Sequence, residues 1–158
     1  MVLCSCNSCV LNKSNKHNTT KIQGLGPHSI SMSGLKTFNY DTVKYLNENL
    51  LKNKQSFMGK ELSVLINNLE IPVKNYFIGE KFDQPKSVPE ITLIFTEIEK
   101  LLKDKQREKH KLVTIVWQQP IVKDSTFQLL KATKGVWSKE AYEFYKRRLI
   151  KDIIMAER

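Results

Sequence analysis

The sequence predicts a mixed α/β domain in which two helices cover one face of a four-stranded sheet. Two kinds of apolar repeat carry this prediction. Several short runs alternate apolar and polar residues, as half-buried strands do, and two longer runs repeat apolar residues at helical spacing. Along the chain these runs follow the order strand, helix, strand, strand, helix, strand. That order is typical of a two-layer sandwich.

The first strand and the first helix are predicted in the segment that follows Pro27. Residues 28–38 alternate apolar and polar side chains, which favours a strand. The first helix is predicted over residues 41–55, because apolar residues recur there at helical spacing. Its apolar stripe is formed by Val43, Leu46 and Leu50.

A hairpin is predicted next. Apolar residues alternate over residues 61–67 and again over residues 69–78, so both runs favour strands. Asn67 and Asn68 separate them, and asparagine tolerates the positive φ that a two-residue hairpin turn requires. Pro72 favours an edge position or a bulge for the second strand, since proline donates no hydrogen bond to a neighbouring strand.

The second helix is predicted over residues 88–105. Ser87 and Glu90 have the spacing of a capping box, in which each side chain pairs with the backbone of the other residue. The expected apolar face is formed by Ile91, Ile94, Phe95, Ile98, Leu101 and Leu102. A β-branched run over residues 112–117 predicts the last strand. The six elements then match the ferredoxin-like order over residues 28–118.

Residues 119–158 are predicted to form a helical extension. A short helix is expected over residues 124–133, before Gly135, and a longer one over residues 138–156 with Ser138 as its N-cap. One side of the longer helix is apolar and is formed by Tyr142, Tyr145, Leu149 and Ile153. The opposite side is basic and is formed by Arg147, Arg148 and Lys151.

Positive charge is concentrated at the two ends of the chain, whose formal net charge is +10. Residues 1–40 hold four lysines and no carboxylate, and residues 101–158 hold fourteen Lys or Arg against seven acids. Residues 41–100 are nearly neutral, with eight lysines against nine acids. This distribution favours a polyanionic partner such as RNA. The alternative is ordinary surface charge that only keeps the protein soluble.

The composition of residues 1–27 predicts a polar, flexible and basic arm outside the folded domain. Mitochondrial presequences also lack acidic residues, but they are rich in arginine and this arm has none. We therefore expect that the arm is kept in the mature protein. Phosphate neutralisation by lysine and arginine gives affinity that does not depend on sequence. The candidate RNA contacts from charge alone are Lys13, Lys16, Lys21 and Lys36 near the start, and Lys146, Arg147, Arg148 and Lys151 near the end.

Three cysteines lie within the first ten residues. Cys4, Cys6 and Cys9 could bind zinc together with His17 or His28, although a structural zinc site usually has two close pairs of ligands. The alternative is three free thiols. Their odd number and clustered position argue against a disulfide scaffold and favour a reducing compartment.

Residue patterns for catalysis and for membrane insertion are not found. The sequence has no phosphate-binding glycine loop, no Gly-x-Ser-x-Gly, and no histidine beside a candidate nucleophile. No run approaches the roughly 18 apolar residues that span a bilayer. We therefore expect no enzymatic activity, no cofactor and no membrane insertion. Four aromatic residues have two interpretations, base stacking or core packing: Trp117, Trp137, Tyr142 and Tyr145.

The start of the predicted domain resembles a known family. The run Ile30-x-Met32-x-x-Leu35-Lys36-x-Phe38, followed by a polar helix start, resembles the first strand and helix entry of the small-subunit ribosomal protein S-ten family. That family has a ferredoxin-like fold and includes a related mitochondrial large-subunit protein.

A second motif extends the resemblance over about ninety residues. The run Ile71-Pro72-Val73-Lys74 resembles the Leu/Met-Pro-Thr-Lys signature of the S-ten family, at a comparable distance after the first helix. The resemblance implies a protein of the small-subunit head that contacts ribosomal RNA and neighbouring proteins. By position it implies RNA contacts at Lys36 and Lys74.

Together these patterns predict a non-enzymatic, RNA-binding structural component of a ribonucleoprotein. The resemblance points to a ribosome, and we expect an organellar location such as the mitochondrial matrix, with the cytoplasm as the alternative. One alternative function is a viral or regulatory nucleic-acid-binding factor with a zinc knuckle in the arm. Another is a non-catalytic protein–protein subunit of a larger complex.

Overall fold

A computed structural model of the protein describes residues 30, 32–79, 85–98 and 112–156. In these residues, four strands form one antiparallel sheet in chain order, β1-β2-β3-β4. The strands are β1 (Asn75–Gly79), β2 (Ser87–Ile94), β3 (Leu112–Val122) and β4 (Ile150–Ala156). The prediction of a mixed α/β fold is confirmed at this level. The ferredoxin-like order is not confirmed, because neighbours in the sheet are neighbours in the chain.

The helices with both ends in the described residues precede β1 or lie between β3 and β4, and Ile98, after β2, is also helical. They are α1 (Thr42–Leu46), α2 (Leu62–Asn68), α3 (Lys123–Thr133) and α4 (Lys139–Tyr145). A π-helical turn, Asn47–Leu51, continues α1, so helical structure follows Asp41 as predicted. The helix predicted over residues 124–133 is confirmed as α3. None of the described helices has the length and apolar character needed to cross a membrane.

The strand predicted over residues 28–38 is wrong for the part that the structure describes. Leu35–Phe38 forms a 3₁₀ turn, and residues 30 and 32–34 have no regular structure. Leu35 and Phe38 are three positions apart, so one helical turn places both against the core, where both are partly buried. Asn39 and Tyr40, with φ of 52° and 62°, then reverse the chain in left-handed conformations.

The hairpin predicted over residues 61–78 is also wrong in its first half. Residues 62–68 form α2, and only residues 75–78 of the second predicted strand lie in β1. The apolar residues of this run fit both the two-residue repeat of a strand and the repeat of a helix. The helix forms because Leu62 and Leu65, three positions apart, are both buried in the core. Asn68 Nδ2 donates to the Val64 carbonyl at 2.7 Å, which stabilises the end of the helix instead of a hairpin turn.

The helix predicted over residues 88–105 is wrong over residues 88–94, which lie in β2. Ile98 is helical, and residues 99–105 lie outside the described part. Ile91 and Leu93 point to the main core, while Ile94 is buried on the opposite face. A strand buried on both faces has a continuous apolar run, which periodicity does not distinguish from a buried helix.

The last predicted helix, over residues 138–156, is correct only in its first half. Ser138 Oγ accepts from the Ala141 backbone N–H at 3.3 Å, which confirms the predicted cap of α4. The chain then turns and forms β4. Its register shifts between Val116 and Trp117, so Lys151 is an extra, bulged residue. The bulge lets Ile150 and Ile153 both reach the core although they are three positions apart, a spacing that imitates a helix.

An aromatic cluster joins α4 to the sheet. Tyr145 is at its centre and lies parallel to Trp117, with ring centroids 5.8 Å apart and an interplanar angle of 7°. Its other ring contacts are Tyr76 at 5.6 Å, Trp137 at 6.1 Å and Phe144 at 4.9 Å. Burial raises the pKa of Tyr145. The cluster fixes the end of α4, and therefore the start of the turn that follows it.

Candidate nucleic-acid interface

The turn between α4 and β4 is held by the first residues of α2. We call residues 146–149 the basic turn. The Leu62 N–H donates to the Arg148 carbonyl at 2.9 Å, and the Ser63 N–H donates to the Lys146 carbonyl at 2.9 Å. Because the backbone of the turn satisfies these helix N–H groups, it is fixed in place. Arg147 and Leu149 are exposed on its outer side.

A second segment places another lysine beside the basic turn. The Gly59 N–H donates to the Ile150 carbonyl at 2.7 Å, and the Ile150 N–H donates to the Lys60 carbonyl at 2.9 Å. Gly59 has a φ of +75°, a conformation that glycine adopts without steric cost. Lys151, the bulged residue of β4, follows directly. We call Lys60, Arg147, Arg148 and Lys151 together the basic surface.

The cations of the basic surface are not neutralised by ion pairs among the described residues. No described carboxylate lies within 4.0 Å of them, whereas nearby Lys146 pairs with Glu143 at 2.6 Å. The Arg148 guanidinium lies 5.8 Å from the centre of the Phe144 ring, a cation–π distance that leaves its charge intact. Charge that is not compensated locally attracts anions from solution.

Glu61 is an exposed acid that directly follows Lys60 in the chain. It bridges to Leu149 across the edge of the sheet and accepts a hydrogen bond from the Ser63 hydroxyl at 3.1 Å. Four cations against this one exposed carboxylate leave a local excess of three positive charges. The surface therefore remains cationic.

Asp152, next to the basic surface, is already paired. Its Oδ1 accepts from Lys54 Nζ at 3.0 Å and from the Ile153 N–H at 2.8 Å. The hydrogen bond from Lys54 is the main cause that lowers the pKa of Asp152 from its ordinary 3.8. A lowered carboxyl pKa stabilises the fold above the unfolded-state value, and this stabilisation is lost as the pH falls through the folded-state value.

We expect Asp152→Asn to make the acid dependence of stability shallower below about pH 4. The loss at neutral pH should stay under about 1 kcal/mol, because both side chains are more than a third exposed and solvent screens the pair. Urea unfolding at several pH values measures both effects. Lys54→Gln serves as the partner variant, and the double variant should lose no more than either single one. An unchanged acid profile for Asp152→Asn would contradict this.

The structure brings only some of the predicted RNA contacts together. The basic turn and Lys151 are adjacent, as described above. Lys36 is exposed on the 3₁₀ turn before α1, and Lys74 precedes β1, where it lies 3.4 Å from Glu97. β1 and β4 are opposite edges of the sheet, about 14 Å apart at the usual spacing of strands. Lys74 and the basic turn thus belong to different surfaces.

Several predicted residues lie outside the described part of the chain. These are the three lysines of the arm, Lys13, Lys16 and Lys21, and the candidate zinc ligands Cys4, Cys6 and Cys9. Within the described ranges, the structure has no group of three or more side chains that could hold a metal ion. The zinc hypothesis concerns the arm alone, so it stays a prediction.

Two of the four aromatic candidates for base stacking are core residues. Trp117 is 2% exposed and Tyr145 is fully buried, so neither ring can stack on a base in this structure. Trp137 and Tyr142 are half-buried, and Trp137 packs against the core. The core interpretation is therefore correct for Trp117 and Tyr145.

The sequence did not predict two features of this surface. One is Lys60, and the other is a bulge in β3 that contains glutamine. The register of β2 with β3 jumps between Val88 and Glu90, so residues 117–120 lie opposite Pro89 alone. We call residues 118–120 the glutamine bulge, and all three are exposed. A proline just after two polar residues in a β-branched run is a sequence signal for such a bulge.

Comparison with protein-family models, curated proteins and solved structures found no match to the chain. Its function must therefore be inferred from its own side chains.

Proposed function

We propose that the protein is a non-catalytic, RNA-binding structural component of a ribonucleoprotein. One observation carries the proposal: four cations without ion-pair partners among the described residues lie on neighbouring segments that backbone hydrogen bonds join. The resemblance to the S-ten ribosomal family adds that the particle is a ribosome, with an organellar ribosome as our expectation. The ferredoxin-like layout that this resemblance implies is not confirmed, so the charge of the basic surface is the stronger support.

The rigidity of the surface supports binding more than solubility. Charges that serve only solubility need no particular backbone support. The basic turn is instead fixed by two backbone hydrogen bonds from α2, and Lys60 by the pairing of its segment with β4. Cations held on fixed backbone lose less entropy when they contact phosphates than cations on a mobile loop.

The test is the salt dependence of RNA binding by the full chain. We expect fluorescence anisotropy with a labelled single-stranded RNA of about 16 nucleotides to show binding. Its log affinity should fall linearly with log salt between about 50 and 200 mM. The double variant Arg147→Gln/Lys151→Gln should bind more weakly and lose about 1.4 from the slope, since each neutralised phosphate contributes about 0.7 for single strands.

The matched control is Lys131→Gln/Lys139→Gln, which removes two exposed lysines from α3 and α4. It changes the net charge by the same amount and should leave the slope close to that of the parent protein. If both double variants lose the same slope, the basic surface has no special role. Binding that does not respond to salt, or no binding to RNA, would overturn the proposal.

A further inference from the structure

Gln118 lies within reach of the basic surface. Its backbone N–H donates to the Leu149 carbonyl at 3.0 Å, which ties the glutamine bulge to the basic turn. Its side chain extends over Gly59, because a Cβ added at Gly59 would lie 3.8 Å from Gln118 Nε2. The amide therefore lies beside Gly59, next to Lys60 in the chain, and its backbone is bonded to the basic turn that carries Arg147.

The amide of Gln118 is free to bind a ligand. It is exposed, and it has no hydrogen-bond partner among the residues that the structure describes. A glutamine side chain offers an N–H donor and a carbonyl acceptor side by side. The edge of a nucleobase offers a complementary donor and acceptor side by side, whereas a phosphate offers acceptors only.

Two exposed apolar residues belong to the segments that Gln118 contacts. Leu149 in the basic turn is 42% exposed, and Met58, next to Gly59 in the chain, is 36% exposed. An unstacked base has an apolar face that gains from such contact. The surface thus combines cations for phosphates, an amide for a base edge, and apolar groups for a base face.

We infer that the basic surface binds single-stranded RNA in preference to duplex RNA, with Gln118 as the residue that contacts an unpaired base. This inference rests on the proposed function. In an A-form duplex the base faces are stacked, and the major groove is too deep and narrow for side chains to read. A duplex therefore satisfies the cations but offers the apolar groups no base face and the amide no unpaired base edge.

The experiment compares two probes on the full chain at one salt concentration. The first is a labelled single-stranded RNA of about 16 nucleotides, and the second is the duplex made by annealing it to its complement. The parent protein should bind the single strand about tenfold more tightly. Gln118→Ala should weaken single-strand binding about three- to tenfold, the range of one hydrogen bond, and leave duplex binding and the salt slope unchanged.

Gln128→Ala is the matched control, since Gln128 is exposed on α3 away from the bulge. It should bind both probes as the parent does, and circular dichroism should show that both variants remain folded. Equal affinity for the two probes, or a Gln118→Ala variant with parental binding, would overturn the inference while the proposed function stands. Absence of binding to either probe would overturn both.

Discussion

Tyr145→Ala should lower the free energy of unfolding by about 3–5 kcal/mol, the usual cost of removing a large buried aromatic side chain. Tyr145 contacts four other rings and is fully buried. Its loss leaves a cavity where α4 meets the sheet, and Trp117 loses its stacking partner. Urea unfolding followed by tryptophan fluorescence measures the change.

Tyr145→Phe separates the ring from its hydroxyl. The Tyr145 hydroxyl is buried and has no hydrogen-bond partner in the described part of the protein. A buried polar group without a partner costs free energy, so its removal should change stability by less than about 1 kcal/mol or increase it. A loss of more than about 2 kcal/mol would show that the hydroxyl is bonded after all.

Tyr145→Phe should also change how the free energy of unfolding depends on pH in alkaline solution. In the unfolded chain tyrosine loses its proton near pH 10, but burial raises the pKa of Tyr145 in the fold. The unfolded state therefore binds fewer protons above about pH 10, and stability falls as the pH rises further. Tyr145→Phe removes this share of the loss. Burial also raises the pKa of Tyr45 and Tyr76, so part of the alkaline loss should remain.

The sequence correctly predicted those elements whose residue pattern fits only one type of secondary structure. The run over residues 112–117 is β-branched and forms the first part of β3. Ser138 caps α4 as expected, and Asp41 Oδ1 accepts from the Lys44 N–H at 3.0 Å at the start of α1. At both caps the hydrogen bond joins residues three positions apart, so the sequence pattern is sufficient, whereas β3 was predicted from the β-propensity of its residues.

The elements that were predicted wrongly depend on contacts that the pattern does not contain. Ile94 makes β2 resemble a helix because it is buried on the face opposite to Ile91 and Leu93. In β4, a bulge at Lys151 converts a helical spacing into a strand. Both outcomes are decided by which strand lies alongside, and pairing of that kind is set by tertiary structure.

The candidate site shows the same division. The charge count grouped Arg147, Arg148 and Lys151 on one helix face, whereas the structure places them on a turn and a bulge. Lys60 and Gln118 could not be added, because they reach this surface only through hydrogen bonds to Ile150 and Leu149. Such pairings join segments about ninety and about thirty residues apart in the chain. A local pattern does not record them.

Gly135→Ala should destabilise the fold more than Gly59→Ala, although both glycines have nearly the same positive φ. Their φ angles are +74° and +75°, so an L-residue at either position costs about 1–2 kcal/mol. At Gly135 the added Cβ would also lie 3.2 Å from the Tyr76 carbonyl oxygen, whereas at Gly59 the nearest atom is 3.8 Å away. Overpacking against backbone adds about 1 kcal/mol or more.

The difference in stability between the two variants tests whether the segment around Gly135 holds β1, the first edge strand of the sheet. The Gly135 carbonyl accepts from the Tyr76 N–H at 2.8 Å, and Trp137 N–H donates to the Lys74 carbonyl at 2.9 Å, so this segment pairs with β1. If Cβ pushes the Tyr76 carbonyl away, both bonds weaken and the aromatic cluster loses support from Trp137. Equal urea midpoints for the two variants would mean that the segment moves aside freely and does not fix β1.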